Sequence, residues 1–268
     1  MPPPALVLTT FGAGEPLTPL AGGRGTAWRA GDIVVKPAEG SESMLAWQSQ
    51  ALSDFGDDRI RLALPLASRS GAFIVDGWSA STFCVGAHDQ RRWLDVIAVG
   101  EVLHVQLADI ACPDVLIARD DPWSIADRAA WGETPLPPHL EAPHVARLAS
   151  HLEPVQAQAQ LIHGDLTGNV LFADPLPRAV IDLSLYWRPA AYATAIVVAD
   201  ALTWEGAAPS DFDRIIPSTG FGQFLARALL FRIVTDWIVD PRAEARLGSA
   251  YAAVADLAVK AIDSGKSV

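Results

Sequence analysis

Two short segments of the chain carry its most informative pattern: Leu161-Ile-His-Gly-Asp-Leu-Thr-Gly-Asn-Val-Leu-Phe172 and Ala179-Val-Ile-Asp-Leu183. Polar His163, Asp165 and Asn169 come first, and two apolar runs follow them. The residues between the runs, Ala173-Asp-Pro-Leu-Pro-Arg178, have the Asp and Pro content of a hairpin connection. A hairpin of this length predicts that the second run returns Asp182 beside Asn169.

The oxygen atoms of these residues indicate a metal-assisted chemistry. Asn169 and Asp182 offer an amide and a carboxylate oxygen as ligands, and Asp165 adds a further carboxylate. So few protein ligands suit Mg²⁺ that also binds substrate phosphates, rather than an ion enclosed by protein alone. An H-x-D sequence followed by an Asn and a strand-borne Asp is the catalytic core of phosphoryl-transferring kinases. The pattern therefore predicts phosphoryl transfer.

The His163-Gly164-Asp165 segment resembles that of the aminoglycoside phosphotransferase and choline kinase family, the small-molecule branch of the protein-kinase-like fold. The resemblance implies that Asp165 is the catalytic base and that His163 braces the loop. It also implies that Asn169 and Asp182 are the Mg²⁺ ligands. Because Gly164 replaces the Arg that protein kinases pair with a phosphorylated activation loop, we expect no control of that kind.

The resemblance further implies an α+β, bilobal architecture. The N-terminal lobe would be a small five-stranded antiparallel sheet plus a helix, and the larger C-terminal lobe would be mainly helical. We place the boundary near residue 82. Residues 1–82 would then form the nucleotide-binding lobe, and residues 83–268 the catalytic and substrate-binding lobe.

A glycine-rich turn and a lysine precede the catalytic pattern in the expected order. Gly22, Gly23 and Gly25 lie between two predicted strands, where they would let the backbone approach nucleotide phosphates. Lys36 ends the next apolar strand, Asp32–Pro37, in a chain that has three lysines and 17 arginines. Such a lysine suggests a need for a compact ammonium group, and the family places it on the α- and β-phosphates.

An amphipathic helix is predicted over residues 41–52, directly after this strand. Glu42 in its first turn resembles the family's lysine-pairing glutamate, and Glu39 is a weaker candidate for the same role. An acidic residue in the first turn of a helix also complements the helix dipole, so the position alone does not decide between the two roles.

The remaining pattern completes the two lobes. Residues 1–15 are predicted to be irregular, residues 61–67 and 72–78 to be strands, and residues 79–86 to link the lobes. His104 is expected in the core or partly solvated, and Asp200 is expected to be structural, as the resemblance implies. Further helices are predicted over residues 90–107, 143–155, 190–204, 221–239 and 241–262.

Composition sets the broad class of the protein. A hydrophobic content of 50% and a charged content of 19% are typical of an ordinary globular protein. The pattern predicts no membrane span, and two cysteines make no metal or disulfide framework. The start, Met-Pro-Pro-Pro-Ala, lacks the basic region of a signal peptide, so we expect a cytoplasmic protein.

The charge of the chain is negative and uneven. The net charge is −11; residues 1–84 hold six basic and eight acidic side chains, and the rest hold 14 and 23. Such a field disfavours nucleic acid and anionic membranes as partners and suits a cationic small molecule, although acidic surfaces also serve solubility alone. The oligomeric state is open.

We therefore expect an ATP- and Mg²⁺-dependent kinase, with GTP as the other candidate donor. It would move the γ-phosphate to a hydroxyl of an aminoglycoside, amino alcohol or sugar. The alternative is a catalytically silent, kinase-like nucleotide-binding regulator. Intact Lys36, Asp165, Asn169 and Asp182 argue against that alternative.

Overall fold

The computed structural model describes residues 1–21, 25–140, 143–215, 220–240 and 244–265. It divides the chain into two compact units, each built from two segments. The first unit is Met1–Asp89 with Gly168–Ser184, and the second is Gln90–Thr167 with Leu185–Val268. The first segment of the first unit thus ends at Asp89, a few residues after the boundary that we place near residue 82, and residues 168–184 belong with this segment.

The described residues form short strands and longer helices in the mixed α+β arrangement that the sequence predicts. The strands are β1 (Leu17–Pro19), β2 (Trp28–Ala30), β3 (Ile33–Pro37), β4 (Ile60–Leu62), β5 (Pro65–Leu66), β6 (Ile74–Val75), β7 (Trp78–Thr82), β8 (Gln160–His163), β9 (Val170–Leu171), β10 (Arg178–Val180) and β11 (Leu185–Arg188). The helices are α1 (Ala5–Phe11), α2 (Glu42–Ala51), α3 (Trp93–Leu107), α4 (Asp114–Ile117), α5 (Pro122–Ala130), α6 (Pro143–Ser150), α7 (Ala190–Thr203), α8 (Pro209–Ile215), α9 (Phe221–Val239) and α10 (Glu244–Gly265).

The main sheet of the first unit has six strands rather than the five predicted. Its order is β1-β2-β3-β7-β5, β6 also pairs with β7, and every pairing is antiparallel. The prediction that residues 79–86 form a link is wrong at its start, because β7 lies between β3 and β5. Its Ser79 and Ala80 are 6% and 4% exposed. Small buried residues lack the β-branched signature of a strand.

The segment predicted as one strand over residues 61–67 divides between two sheets. β5 joins the main sheet, whereas β4 pairs in parallel with β10, with Ile60 opposite Arg178. β10 also pairs antiparallel with β9, so the predicted hairpin is present. The parallel pairing with β4 joins this hairpin to the first unit.

The N-terminal residues form a helix, α1, where the sequence predicts irregular structure. Val7 on this helix is fully buried and belongs to the same apolar cluster as Ala30 and Val35. Pro4 caps the start, and Gly12, with φ of 69°, ends the helix in the left-handed conformation. The preceding prolines suggest an irregular segment, but they lie outside the helix, where proline is tolerated.

The second unit is mainly helical and packs around α9. Residues 221–231 of this helix are all buried, because α5, α7 and α10 contact it. A short antiparallel ladder of β8 and β11, with His163 opposite Leu185, completes the unit. Within the described ranges, no helix is long and apolar enough to cross a membrane.

Candidate active site

Lys36 in the first unit forms the central contact of the predicted nucleotide-binding half. Its backbone lies on β3 opposite Ser79, and its Nζ donates to Asp182 Oδ1 at 2.5 Å and to Glu39 Oε2 at 3.3 Å. Burial alone would lower the pKa of Lys36, but the carboxylates of Asp182 and Glu39 outweigh it and raise that pKa. The ammonium group is therefore charged and held beside Asp182. Asp182 lies two residues after the end of β10 and not on a strand, where the sequence predicts it.

Glu42 does not take the predicted role of pairing with the lysine. Its carboxylate accepts hydrogen bonds from the backbone N–H groups of Phe73 and Ile74, at 2.6 and 2.7 Å. Glu39 contacts Lys36 instead. The prediction for Glu42 is thus corrected: the N-terminus of α2 directs this side chain to the loop before β6, where it binds backbone groups.

The hairpin places Asp182 next to Asn169, as the sequence predicts. The N–H of Ile181 donates to the carbonyl oxygen of Asn169 at 3.0 Å, so the residue after Ile181 begins beside Asn169. Asp182 has φ of 50°, an uncommon value for a residue other than glycine. Gln48 of α2, which is 5% exposed, donates to the Leu183 carbonyl at 2.9 Å and holds the backbone that follows.

These two residues fit a Mg²⁺ ion that takes its other ligands from substrate. Asn169 and Asp182 provide neutral and charged oxygen atoms, and the Asp182 side chain is 47% exposed. In the part of the chain that the structure describes, no group of three or more His, Cys, Asp or Glu side chains could hold a metal by itself. Mg²⁺ commonly binds through one or two protein carboxylates together with phosphates and water.

The glycine-rich turn is described only in part. Gly22 and Gly23 lie outside the described residues. Gly25 lies in the connection from β1 to β2 and has φ of 66°. Among the described residues other than its chain neighbours, no atom lies within 4 Å of the position that its Cβ would take. Its contact with nucleotide phosphates stays a prediction.

His163 and Asp165 of the second unit follow β8, and a chain of hydrogen bonds fixes their backbone. The N–H of Asp165 donates to His163 Nδ1 at 3.1 Å, and the N–H of His163 donates to His104 Nε2 at 3.1 Å. Both rings accept a bond, so each is neutral at that nitrogen. His163 therefore braces the loop locally, and His104 of α3 is a second brace that the sequence did not identify as part of the site.

Gly164 between these two residues is required by packing. A Cβ at this position would lie 2.5 Å from Cδ2 of Tyr186. The Tyr186 ring is itself held edge-on by Phe231, at 5.7 Å between centroids, and lies under the guanidinium of Arg119. The Arg of protein kinases therefore has no room here.

Arg232 is the functional candidate that sequence reasoning missed. This residue of α9 donates from Nη2 to Asp165 Oδ1 at 2.7 Å, and from Nε and Nη2 to Asp200 at 2.9 and 2.5 Å. Burial would lower the pKa of Arg232, but the carboxylates of Asp200 and Asp165 outweigh it and hold that pKa well above its ordinary value. The sequence did contain a signal for this residue, because Arg232 is a charged side chain within the otherwise apolar run of α9. A charge that is buried in a protein is paired with another group, so Arg232 could have been expected to bind a carboxylate.

The spacing of the catalytic pattern departs from that of kinases. Three residues separate Asp165 from Asn169, one fewer than the four in the kinase H-x-D-x-x-x-x-N sequence. Gly168, with φ of 80°, lies in the shortened loop, and a Cβ there would meet no atom within 4 Å from the described residues beyond its two chain neighbours. The assignment of Asn169 as a metal ligand therefore depends on its place beside Asp182 rather than on spacing.

Aromatic and acidic side chains gather at the end of α9 in the second unit. The hydroxyl of Tyr251 donates to Asp236 Oδ2 at 2.9 Å, and Asp236 lies one helical turn after Arg232. Trp204 is 50% exposed and packs edge-on against Tyr251, with ring centroids 5.6 Å apart. Tyr251 thus contacts both a half-buried carboxylate and a half-exposed aromatic ring.

Solved structures of phosphotransferases match nearly the whole chain. The aminoglycoside phosphotransferase from Alicyclobacillus acidocaldarius aligns with a TM-score of 0.58 and 15% identity, over 98% of this chain and 95% of that one. Spectinomycin phosphotransferase APH(9)-Ia, in complex with ADP and spectinomycin, aligns with a TM-score of 0.55 and 15% identity, over 98% and 96%. The chain has the phosphotransferase fold.

A third structure widens the likeness beyond aminoglycoside phosphotransferases. Choline kinase LicA from Streptococcus pneumoniae has a TM-score of 0.56 and 11% identity, over 97% of each chain. No protein-family model and no curated protein sequence matches the chain. The phosphotransferase fold is thus established by architecture, which confirms the α+β, protein-kinase-like prediction.

Proposed function

We propose that this protein transfers the γ-phosphate of ATP to a hydroxyl group of a small molecule. The observation that carries the proposal is the contact of 2.5 Å between Lys36 and Asp182, in a hairpin that also brings Asn169 beside Asp182. A strand lysine beside a metal-binding aspartate is the arrangement that kinases use on nucleotide phosphates. Similar structures hold ADP with spectinomycin, or AMP-PNP with hygromycin B.

Each residue of the first unit has a distinct part in nucleotide binding. Lys36 would bind phosphate oxygens through its ammonium group, and the turn that contains Gly25 would approach them with backbone N–H groups. Asn169 and Asp182 would hold Mg²⁺, which when bound supplies positive charge that offsets the charge of the phosphates. The same residues would serve GTP equally, so the choice of base depends on other contacts.

Asp165 of the second unit would orient the acceptor hydroxyl for in-line attack. Phosphoryl transfer has a loose transition state, so positioning and electrostatics provide most of the rate enhancement. His163 and His104 contribute by holding the backbone of Asp165 through the two bonds of 3.1 Å. In this role the carboxylate must be placed precisely, whereas its strength as a base matters less.

A cationic acceptor is favoured by the cluster around Asp236. A carboxylate together with the half-exposed ring of Trp204 suits an ammonium group, which binds aromatic faces as well as negative charge. The net charge of −11 agrees with such a substrate. Amino sugars and amino alcohols both combine an ammonium group with a hydroxyl.

The function is tested by nucleotide binding and by turnover. We expect Mg-ATP to raise the melting temperature of the wild type, because a ligand that binds only the folded state stabilises it. ADP should form faster when the correct acceptor is added from a panel of aminoglycosides, amino alcohols and sugars. Nucleotide binding without turnover on any acceptor would instead support the catalytically silent alternative.

Three variants separate the roles of the carboxylates. Asp165→Ala should abolish turnover and keep the nucleotide-induced rise in melting temperature, whereas Asp182→Ala should remove the Mg²⁺ dependence of that rise. Asp174→Ala is the matched control, because Asp174 lies in the same hairpin and its exposed side chain pairs with Arg178. Wild-type turnover by Asp165→Ala would refute the assignment of the base.

The preference for a cationic acceptor is tested by a substitution at Asp236. Asp236→Asn should raise KM for a cationic acceptor about tenfold, the size of one lost ion contact, while KM for ATP stays unchanged. Equal effects on cationic and neutral acceptors would exclude this subsite.

A further inference from the structure

Arg232 joins two carboxylates from different elements of the second unit. Its guanidinium binds both oxygens of Asp200 on α7, through Nε at 2.9 Å and Nη2 at 2.5 Å. The same Nη2 reaches Asp165 Oδ1 at 2.7 Å. The Arg232 and Asp200 side chains are 14% and 6% exposed, whereas that of Asp165 is 38% exposed.

This arrangement makes the Asp200 end of the contact rigid and leaves the Asp165 end accessible. A planar guanidinium that binds a carboxylate with two hydrogen bonds has a fixed orientation. Because Asp200 is buried and held by α7, Arg232 cannot rotate without leaving a buried charge unpaired. The nitrogen that points at Asp165 is therefore fixed in space.

We infer that Arg232 is a positioning residue that fixes the direction of the Asp165 carboxylate by connecting it to Asp200. His163 holds the backbone of Asp165 and Arg232 holds its side chain, so the residue is fixed at both ends. The inference rests on the proposed function in one respect, namely that Asp165 orients an acceptor hydroxyl. The contact itself is a property of the folded second unit.

A consequence for catalysis follows from this geometry. A carboxylate that rotates freely would meet the acceptor hydroxyl in the productive direction only part of the time. Misplacement of a reacting group by about 1 Å can cost about 100-fold in rate. Loss of the Arg232 contact should therefore lower kcat, while nucleotide binding by residues of the first unit stays intact.

The first test compares two arginines of the same helix, Arg232 and Arg227. Arg232→Lys keeps the positive charge, but a single ammonium group cannot reproduce the planar fork that binds both carboxylates. We expect kcat to fall at least about tenfold, with KM for ATP within about twofold of wild type. Arg227→Lys is the control, because Arg227 of α9 is 5% exposed and donates to Gln223 and to the Glu153 carbonyl. Its kcat should stay near the wild-type value.

A second variant guards against simple unfolding. Arg232→Met combined with Asp200→Asn removes the guanidinium without leaving a buried charge unpaired. It should fold, bind Mg-ATP with the wild-type rise in melting temperature, and show at least the loss in kcat of Arg232→Lys. Wild-type kcat in this double variant, or an equal loss of nucleotide binding and kcat, would overturn the inference.

A third measurement does not depend on turnover. The ¹³C carboxyl resonance of Asp165, identified by its disappearance in Asp165→Asn, should shift in Arg232→Lys and stay in place in Arg227→Lys. If this resonance shifts in Arg232→Lys but the wild type shows no turnover, the proposed function is refuted, while the contact between Arg232 and Asp165 is established. An unchanged resonance in Arg232→Lys would refute the positioning role itself.

Discussion

Acidification should weaken the folded state through His104, which is 4% exposed within the second unit. Its Nε2 accepts the N–H of His163 at 3.1 Å. Burial, and next the neighbouring His163, lower the pKa of His104 to about 3. If Nε2 bound a proton, its N–H would face the N–H of His163, and the hydrogen bond between them would be lost. The folded protein therefore keeps this ring neutral, whereas the unfolded chain does not.

The magnitude follows from the difference between the two pKa values. In the unfolded chain the pKa of a histidine is about 6.5, so between about pH 6.5 and pH 3 only the unfolded state binds this proton. The free energy of unfolding therefore falls as the pH falls, by about 1.4 kcal/mol per pH unit. Lowering the pH from about 7 to about 5 should cost about 2 kcal/mol through this residue alone.

Urea denaturation of the wild type and of His104→Gln at pH 7, 6 and 5 measures how much His104 contributes to the pH dependence of the free energy of unfolding. The Gln side chain offers an amide oxygen to the same N–H and does not bind a proton in this range, while every other titrating group is shared. Between pH 7 and pH 5, the free energy of unfolding of the wild type should fall by about 2 kcal/mol more than that of the variant. If the free energy of unfolding falls equally in the two proteins, the claim that His104 is held neutral is refuted.

Two further substitutions test packing and the corrected role of Glu42. Gly164→Ala should lower the free energy of unfolding by about 1–3 kcal/mol in urea denaturation, because its Cβ would meet the Tyr186 ring. Gly56→Ala, whose Cβ would have its nearest neighbour at 3.7 Å, is the control and should cost much less. Glu42→Ala should cost about 1 kcal/mol through two lost backbone bonds, with the melting shift caused by Mg-ATP unchanged. A lost shift would restore Glu42 as the partner of Lys36.

Local signals in the sequence predicted the parts of the fold that are themselves local. The Asp- and Pro-containing turn indicates the hairpin of β9 and β10, and the apolar run of α9 predicts that helix with the bounds Phe221–Val239 that the structure has. Lys36 could be identified because it ends an apolar strand in a chain with few lysines. In each case the information lies within a few consecutive residues.

The missed features depend on contacts between distant segments. The parallel pairing of β4 with β10 joins residues more than a hundred positions apart, and no local pattern specifies it. β7 was missed because the small side chains of Ser79 and Ala80 are buried by their neighbours rather than by their own hydrophobicity. Arg232 could be identified as a buried charge in need of a partner, but the two carboxylates it binds are set by the packing of α7 against α9.

The two-segment construction of each unit affects how this protein can be divided. A fragment that stops at Asp89 would contain β4 without β10, so the backbone groups of Ile60–Leu62 would lack the partner strand that they have in the whole chain. The same fragment would keep Lys36 and lose Asp182. The N-terminal part is therefore not a module that can be transplanted by itself; a functional transplant would have to carry the hairpin of residues 168–184 as a second piece.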